Sequence, residues 1–172
     1  NFDRPPKEFD YLMKIFFENF DNLKTDKRIY ENQIRINVIG RTWMFPQKIQ
    51  DKMNEIMNLT KNHDKYILNF AMAYGGREEV IDATIKIAQL VKDGTLDIKD
   101  INEESFKDYL YLKSEPDLII RTGGESRTSN FLAFQSAYSE YIFIDKMWPE
   151  FEKEDFSACI TEYNDRKRRF GK

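Results

Sequence analysis

The chain has 172 residues, enough for a hydrophobic core, and no composition shift marks a boundary, so residues 1–172 are expected to form a single domain. With 41% hydrophobic residues, 33% charged residues and a formal net charge of -3, it is composed as a soluble globular protein and lacks the basic balance of a general nucleic-acid binder. No apolar run approaches the roughly 20 residues that span a bilayer, and the single cysteine, Cys159, excludes an intrachain disulfide or thiolate metal cluster, so the expected location is a reducing cytoplasm.

Pro5 and Pro6 suit the first turn of a helix, and Phe9, Leu12, Met13, Phe16, Phe17 and Phe20 follow at helical spacing as a wide apolar stripe. Gln33 to Ile39 alternates polar and apolar residues and stops at Gly40, which predicts a strand. Pro46 opens a second helix with Ile49, Met53, Ile56 and Met57 on one face. Tyr66 to Tyr74 (YILNFAMAY) is a short apolar run ending in Gly75-Gly76 and predicts a buried strand. From Glu78 to Val91 the positions Val80, Thr84, Ile87 and Val91 predict a helix closed by Gly94. Asn102 suits the cap of a shorter helix carrying Phe106, Tyr109 and Leu110. Asp117 to Arg121 reads as a third strand, Ser129 to Tyr138 as a helix and Tyr141 to Ile144 as a fourth strand. A last helix carries Phe156, Ile160, Tyr163 and Phe170 into a basic run. Strands separated by helices imply an α/β fold with a largely parallel central sheet flanked by helices.

In such a sheet, ligands collect beyond the carboxyl ends of the strands. Arg121 sits at such an end, and Arg127, Thr128 and Ser129 fall where the next helix is expected to begin, so guanidinium groups, hydroxyls and amides can converge on one anion. Gly123 and Gly124 would let the backbone approach it, and two arginines suit a diphosphate better than a lone carboxylate. Surface pairing of these arginines with Glu125 and Asp117 fits the spacing equally well. Gly75-Gly76-Arg77 repeats the theme of strand, glycine turn and cation. No GxxxxGK[ST] loop or GxGxxG fingerprint is present, and His63, the only histidine, is expected to be solvated, which argues against a histidine-based triad or metal site.

The run from Asp117 to Phe151, DLIIRTGGESRTSNFLAFQSAYSEYIFIDKMWPEF, closely resembles the signature region of the cis-prenyltransferases, the undecaprenyl diphosphate synthase family. NFDRP at the start, YGGREE at Tyr74 and RKRRFGK at the end are similar to further elements of that family. The resemblance implies condensation of isopentenyl diphosphate with an allylic diphosphate, farnesyl or geranylgeranyl, to give a long cis-polyprenyl diphosphate. By matched position Arg121, Arg127 and Ser129 would hold the diphosphate of isopentenyl diphosphate with Thr128 beside them, and Glu140 would hold Mg²⁺, which neutralises charge on a leaving pyrophosphate.

Asn1 and Arg4 match residues near the family's reaction centre. A neutral amide is a poor base, so Asn1 is expected to orient substrate while a diphosphate oxygen or water takes the proton. Phe2 stands where the family usually has tryptophan and keeps an aromatic wall. The stripe from Phe9 resembles the wall of a hydrophobic tunnel for the growing chain. Arg169 and Gly171 match an arginine-x-glycine element that reaches the neighbouring subunit in a homodimer. Peripheral membrane contact for product release is also implied. The family's MDGNGRWA-like segment, with its catalytic aspartate, is not among these residues, so this chain taken alone is expected to be inactive. A non-catalytic partner subunit is the rival expectation, and a phosphosugar- or nucleotide-binding module a third.

Overall fold

The computed structural model describes residues 5–167; Asn1, Phe2, Arg4, Arg169, Phe170 and Gly171, all given parts above, lie outside the described residues. The chain divides into two units, one running to Tyr74 and the other from Gly75.

The first unit begins with α1 (Pro6–Thr25), whose proline at the first position lacks only an N–H that no helix start can use. Its stripe is graded: Phe20 is buried, while Met13, Phe16 and Phe17 pack half-buried against the core. After α2 (Lys27–Glu31), capped by the Asp26 carboxylate on the Arg28 amide, come β1 (Ile34–Ile39) and α3 (Gln47–Thr60). The expected face of α3 is the observed one, with Ile49, Met53 and Ile56 buried against Ile36 and Val38 of β1. Phe16 and Phe45 meet edge to face at 6.1 Å. Thr60, fully buried, donates its hydroxyl to the Ile56 carbonyl at 2.9 Å and accepts from the Ile36 amide at 3.0 Å, tying the end of α3 to the strand.

β2 (Tyr66–Ala71) runs parallel to β1, with Ile34 opposite Tyr66 and Ile39 opposite Ala71, and Asn37 donates to Asn69 across the pair at 2.9 Å. This strand is not buried as its apolar run suggests. Tyr66 and Ile67 are each 62% exposed, because among the described residues β1 is its only strand neighbour and no helix of this unit covers its first half. His63 also differs from expectation. Its ring is half-buried against Tyr30, and its Nδ1 lies 2.9 Å from the Ile34 carbonyl, an acceptor, so Nδ1 carries the proton.

Gly40 ends β1 at φ +105°, and a Cβ there would stand 2.2 Å from the Met72 carbonyl oxygen. Since backbone rather than a movable side chain is in the way, Gly40→Ala is expected to destabilise the protein by about 2–3 kcal/mol, read as a lowered thermal midpoint.

In the second unit, α4 (Gly76–Lys92) is closed by Gly94 at φ +71°, and α5 (Glu103–Lys107) carries the Asn102 cap in a box with Ser105. β3 (Leu118–Thr122) and β4 (Glu140–Ile144) form a parallel pair, with Leu118 opposite Glu140 and Arg121 opposite Phe143. α6 (Lys153–Asp165) buries Cys159 rather than Phe156 and Ile160, which are exposed. Burial pushes the Cys159 thiol up from its ordinary range.

The expected helix over 129–138 is replaced by a chain of turns with Ser129, Asn130 and Leu132 all at positive φ. The fold is thus α/β with parallel strands flanked by helices, and among the described residues the strands form two parallel pairs. No described helix is long and apolar enough to cross a membrane.

Candidate active site

The carboxyl end of β3 delivers Arg121 to a cavity of about 340 Å³ that Arg127, Thr128 and Ser129 also line. All four residues expected to bind one anion therefore meet. The rest of the wall is Ile119, Ile120, Thr122 and three aromatics, Phe131, Tyr141 and Phe143. Tyr141 and Phe143 share one face of β4 by strand alternation, and their rings stack at 6.0 Å. The cavity wall thus combines cationic and hydroxylated groups with apolar ones.

Arg121 does not pair with Asp117 as the surface reading allowed. Its Nη1 donates to the Ser129 hydroxyl at 2.8 Å and, in a shorter contact, to the Arg127 carbonyl. The guanidinium is thereby held to the turn that carries the other polar groups. Arg127 does pair with Glu125, at 2.6 Å, and its side chain is 62% exposed. The two arginines thus differ: Arg121 is held by uncharged groups of the fold, whereas Arg127 is engaged by a carboxylate.

The backbone here departs from expectation at 127–129. No helix begins at 127–129, so this segment offers no helix N-terminus to the cavity. The Gly123 and Gly124 amides donate to the Lys146 and Ile144 carbonyls at 2.8 and 3.0 Å, which removes them as anion donors. What requires glycine there is positive φ, +93° and +71°, since a Cβ would meet nothing nearer than 3.7 Å.

Glu140 opens β4 beside Leu118, three strand positions, roughly 10 Å, from the level of Arg121. Its carboxylate accepts from Arg166 at 2.7 Å, and Arg166 also holds Glu162 at 2.5 Å, which keeps that guanidinium firmly protonated. Among the described residues no three acidic, histidine or cysteine side chains gather where a metal ion could be held. Glu140 as described is therefore a partner of Arg166 and not a member of a ready-made three-ligand cluster.

Sequence periodicity missed Glu79. The buried ridge of α4 is Gly76, Glu79, Ala83 and Ile87; of the expected stripe Ile87 lies on that ridge, while Thr84 is exposed and Val80 and Val91 are half-buried. Glu79 is completely buried, and its Oε1 accepts from the Tyr111 amide at 2.7 Å, the Leu112 amide at 3.1 Å and Gln135 Nε2 at 3.0 Å. Such a carboxylate is tolerable inside only because several donors converge on it. The second glutamate of GGREE was its only trace in the sequence.

The family model described as "Putative undecaprenyl diphosphate synthase" matches residues 1–171. A tritrans,polycis-undecaprenyl-diphosphate synthase (geranylgeranyl-diphosphate specific) of Pyrococcus horikoshii is 49% identical over 174 residues, covering 100% of this chain and 66% of the relative. The equivalent protein of Thermoplasma acidophilum is 45% identical, with 67% of its length covered. The chain thus spans about two thirds of the curated relatives it matches. Among solved structures, lavandulyl diphosphate synthase from Lavandula x intermedia in complex with dimethylallyl diphosphate superposes with a TM-score of 0.91 at 34% identity, over 100% of this chain and 75% of that one. A probable undecaprenyl diphosphate synthase from Campylobacter jejuni gives 0.86 at 30% identity, over 100% and 78%. With a family match over nearly its whole length, the chain belongs to the undecaprenyl diphosphate synthase family of prenyltransferases.

Proposed function

We propose that the protein is a cis-prenyl chain-elongating transferase that condenses isopentenyl diphosphate with an allylic diphosphate to give a long-chain polyprenyl diphosphate for a glycosyl-carrier lipid. The observation that carries the reading is the single cavity lined both by Arg121, Arg127, Thr128 and Ser129 and by Phe131, Tyr141 and Phe143. A diphosphate with a short branched hydrocarbon needs both kinds of lining. Condensation forms a carbon–carbon bond from the terminal alkene carbon of isopentenyl diphosphate to the first carbon of the allylic partner; the allylic carbon–oxygen bond breaks, pyrophosphate departs and a proton leaves the isopentenyl unit. The arginine cavity's part is to fix the nucleophilic alkene by its diphosphate, a positioning contribution.

The geranylgeranyl specificity named for the archaeal relatives makes geranylgeranyl diphosphate the favoured primer over farnesyl. Asn1 and Arg4 are proposed at the reaction centre, Phe2 at its wall, the α1 stripe along the product tunnel, and Arg169 with Gly171 at a neighbouring subunit's diphosphate in a homodimer. Mg²⁺ is proposed as a partner of the diphosphates, which supply most of its ligands. Glu140 is its candidate ligand on this chain, and taking the ion there requires release of Arg166.

The test is incorporation of labelled isopentenyl diphosphate by the full-length protein, with either primer and with or without Mg²⁺. Metal-dependent long products made from geranylgeranyl diphosphate are expected. A folded protein that binds isopentenyl diphosphate and makes no product would instead be a partner subunit.

A further inference from the structure

The Gly75-Gly76-Arg77-Glu78 turn has no part in the chemistry proposed above, yet it makes the closest backbone packing among the described glycines of its unit. A Cβ on Gly76 would lie 2.5 Å from the Ala133 amide nitrogen and 2.7 Å from its Cβ. What seats against it is the turn that carries Ser129. Gly75, at the start of α4, has no side chain to cap the helix, and Asn130 supplies the cap from the β3–β4 connection. The Asn130 carbonyl accepts from the Gly76 amide at 2.7 Å, and its Oδ1 accepts from the Arg77 amide at 2.8 Å. Its Nδ2 donates to Glu78 Oε2 at 2.8 Å. The last two bonds use both ends of the side-chain amide, so its orientation is fixed.

Ser129 and Asn130 stand at φ +48° and +65°, a conformation that L residues avoid and asparagine tolerates better than most. Such a pair persists only where its surroundings hold it. We infer that Asn130 is a positioning residue for the diphosphate cavity: by locking its turn to the first turn of α4 it sets the Ser129 hydroxyl and the Arg127 carbonyl against Arg121. The inference rests on reading that cavity as the isopentenyl diphosphate site.

The test uses the full-length protein with Asn130→Asp and with Asn130→Asp/Glu78→Gln. The single change keeps the size of the side chain and the acceptor for Arg77, but sets a second carboxylate against Glu78. The KM for isopentenyl diphosphate is expected to rise between about tenfold and a hundredfold, with the allylic KM and kcat within about threefold of the parent. The defect should shrink as pH falls, because two carboxylates in contact share a proton more readily than one alone takes it up. In the double variant the Glu78→Gln amide can donate back to the new carboxylate, and the KM should return to within about threefold of the parent. A parental KM in the single variant, or a defect that neither acid nor the second change relieves, overturns the inference. Calorimetric binding of isopentenyl diphosphate gives the same comparison without turnover, with Arg121→Ala alongside. Affinity lost in Arg121→Ala but kept in Asn130→Asp overturns the positioning role alone, whereas affinity kept in Arg121→Ala overturns the cavity assignment and the inference with it.

Discussion

Arg121→Ala is expected to raise the KM for isopentenyl diphosphate by about thirtyfold to a few thousandfold, the equivalent of about 2–5 kcal/mol for a truncated ion contact. The range is high because this guanidinium is prepared before any ligand arrives. It is held by the Ser129 hydroxyl and the Arg127 carbonyl, neither of which carries a full charge, so its charge remains available to an anion. Removing it also leaves those two groups without their donor. Arg127→Ala is expected to have a smaller effect, about 1–2 kcal/mol, since that side chain is largely exposed and is engaged by Glu125. Steady-state kinetics with isopentenyl diphosphate varied at saturating primer reads both changes. Equal KM values for parent and Arg121→Ala would remove the arginine from the site.

The second large effect falls on stability. Glu79→Ala is expected to destabilise the protein by about 3–5 kcal/mol, because the Tyr111 and Leu112 amides and Gln135 Nε2 all lose an acceptor at a site closed to water. Gln135 has no other arrangement to fall back on. Its Nε2 also serves the Leu112 carbonyl at 2.9 Å, and its Oε1 is already buried without a hydrogen-bond partner. Glu79→Gln keeps an acceptor oxygen in place and is expected to lose only about 1–2 kcal/mol. Denaturant midpoints of the two variants check the difference. A Glu79→Ala midpoint equal to that of Glu79→Gln would mean that the three donors find other acceptors.

The two residues also show where sequence reasoning succeeds and where it stops. That Arg121 meets Arg127, Thr128 and Ser129 could be read because strand ends and basic or hydroxylated residues are local signals: β3, the cation at its end and that cluster lie within a dozen positions. The alternation of β1, the apolar face of α3, Gly94 after α4 and the Asn102 cap were equally local. Glu79 could not be found this way, since its acceptance inside depends on amides at Tyr111 and Leu112 that no periodicity connects to it.

The turn at 129–132 failed for the same reason. Leu132, Gln135 and Ser136 are buried at spacing compatible with a helix, but contact with Gly76 and the Asn130 bonds to α4 favour left-handed backbone instead. The exposed half of β2 marks a further limit, because an apolar run states that a strand prefers cover and says nothing of what supplies it. His63 looked solvated from its polar neighbours, and only the fold brings the Ile34 carbonyl to its ring.

The lone sulfur on α6 has a practical consequence. Cys159 is 4% exposed, and its thiol is biased toward the protonated, unreactive form, so an electrophilic dye in solution meets a thiolate only when the helix opens. With one thiol among these 172 residues, each labelled copy of this chain carries a single mark at a known place. The rate at which that mark accumulates is a clock for the opening of one helix, and no residue has to be changed to install it.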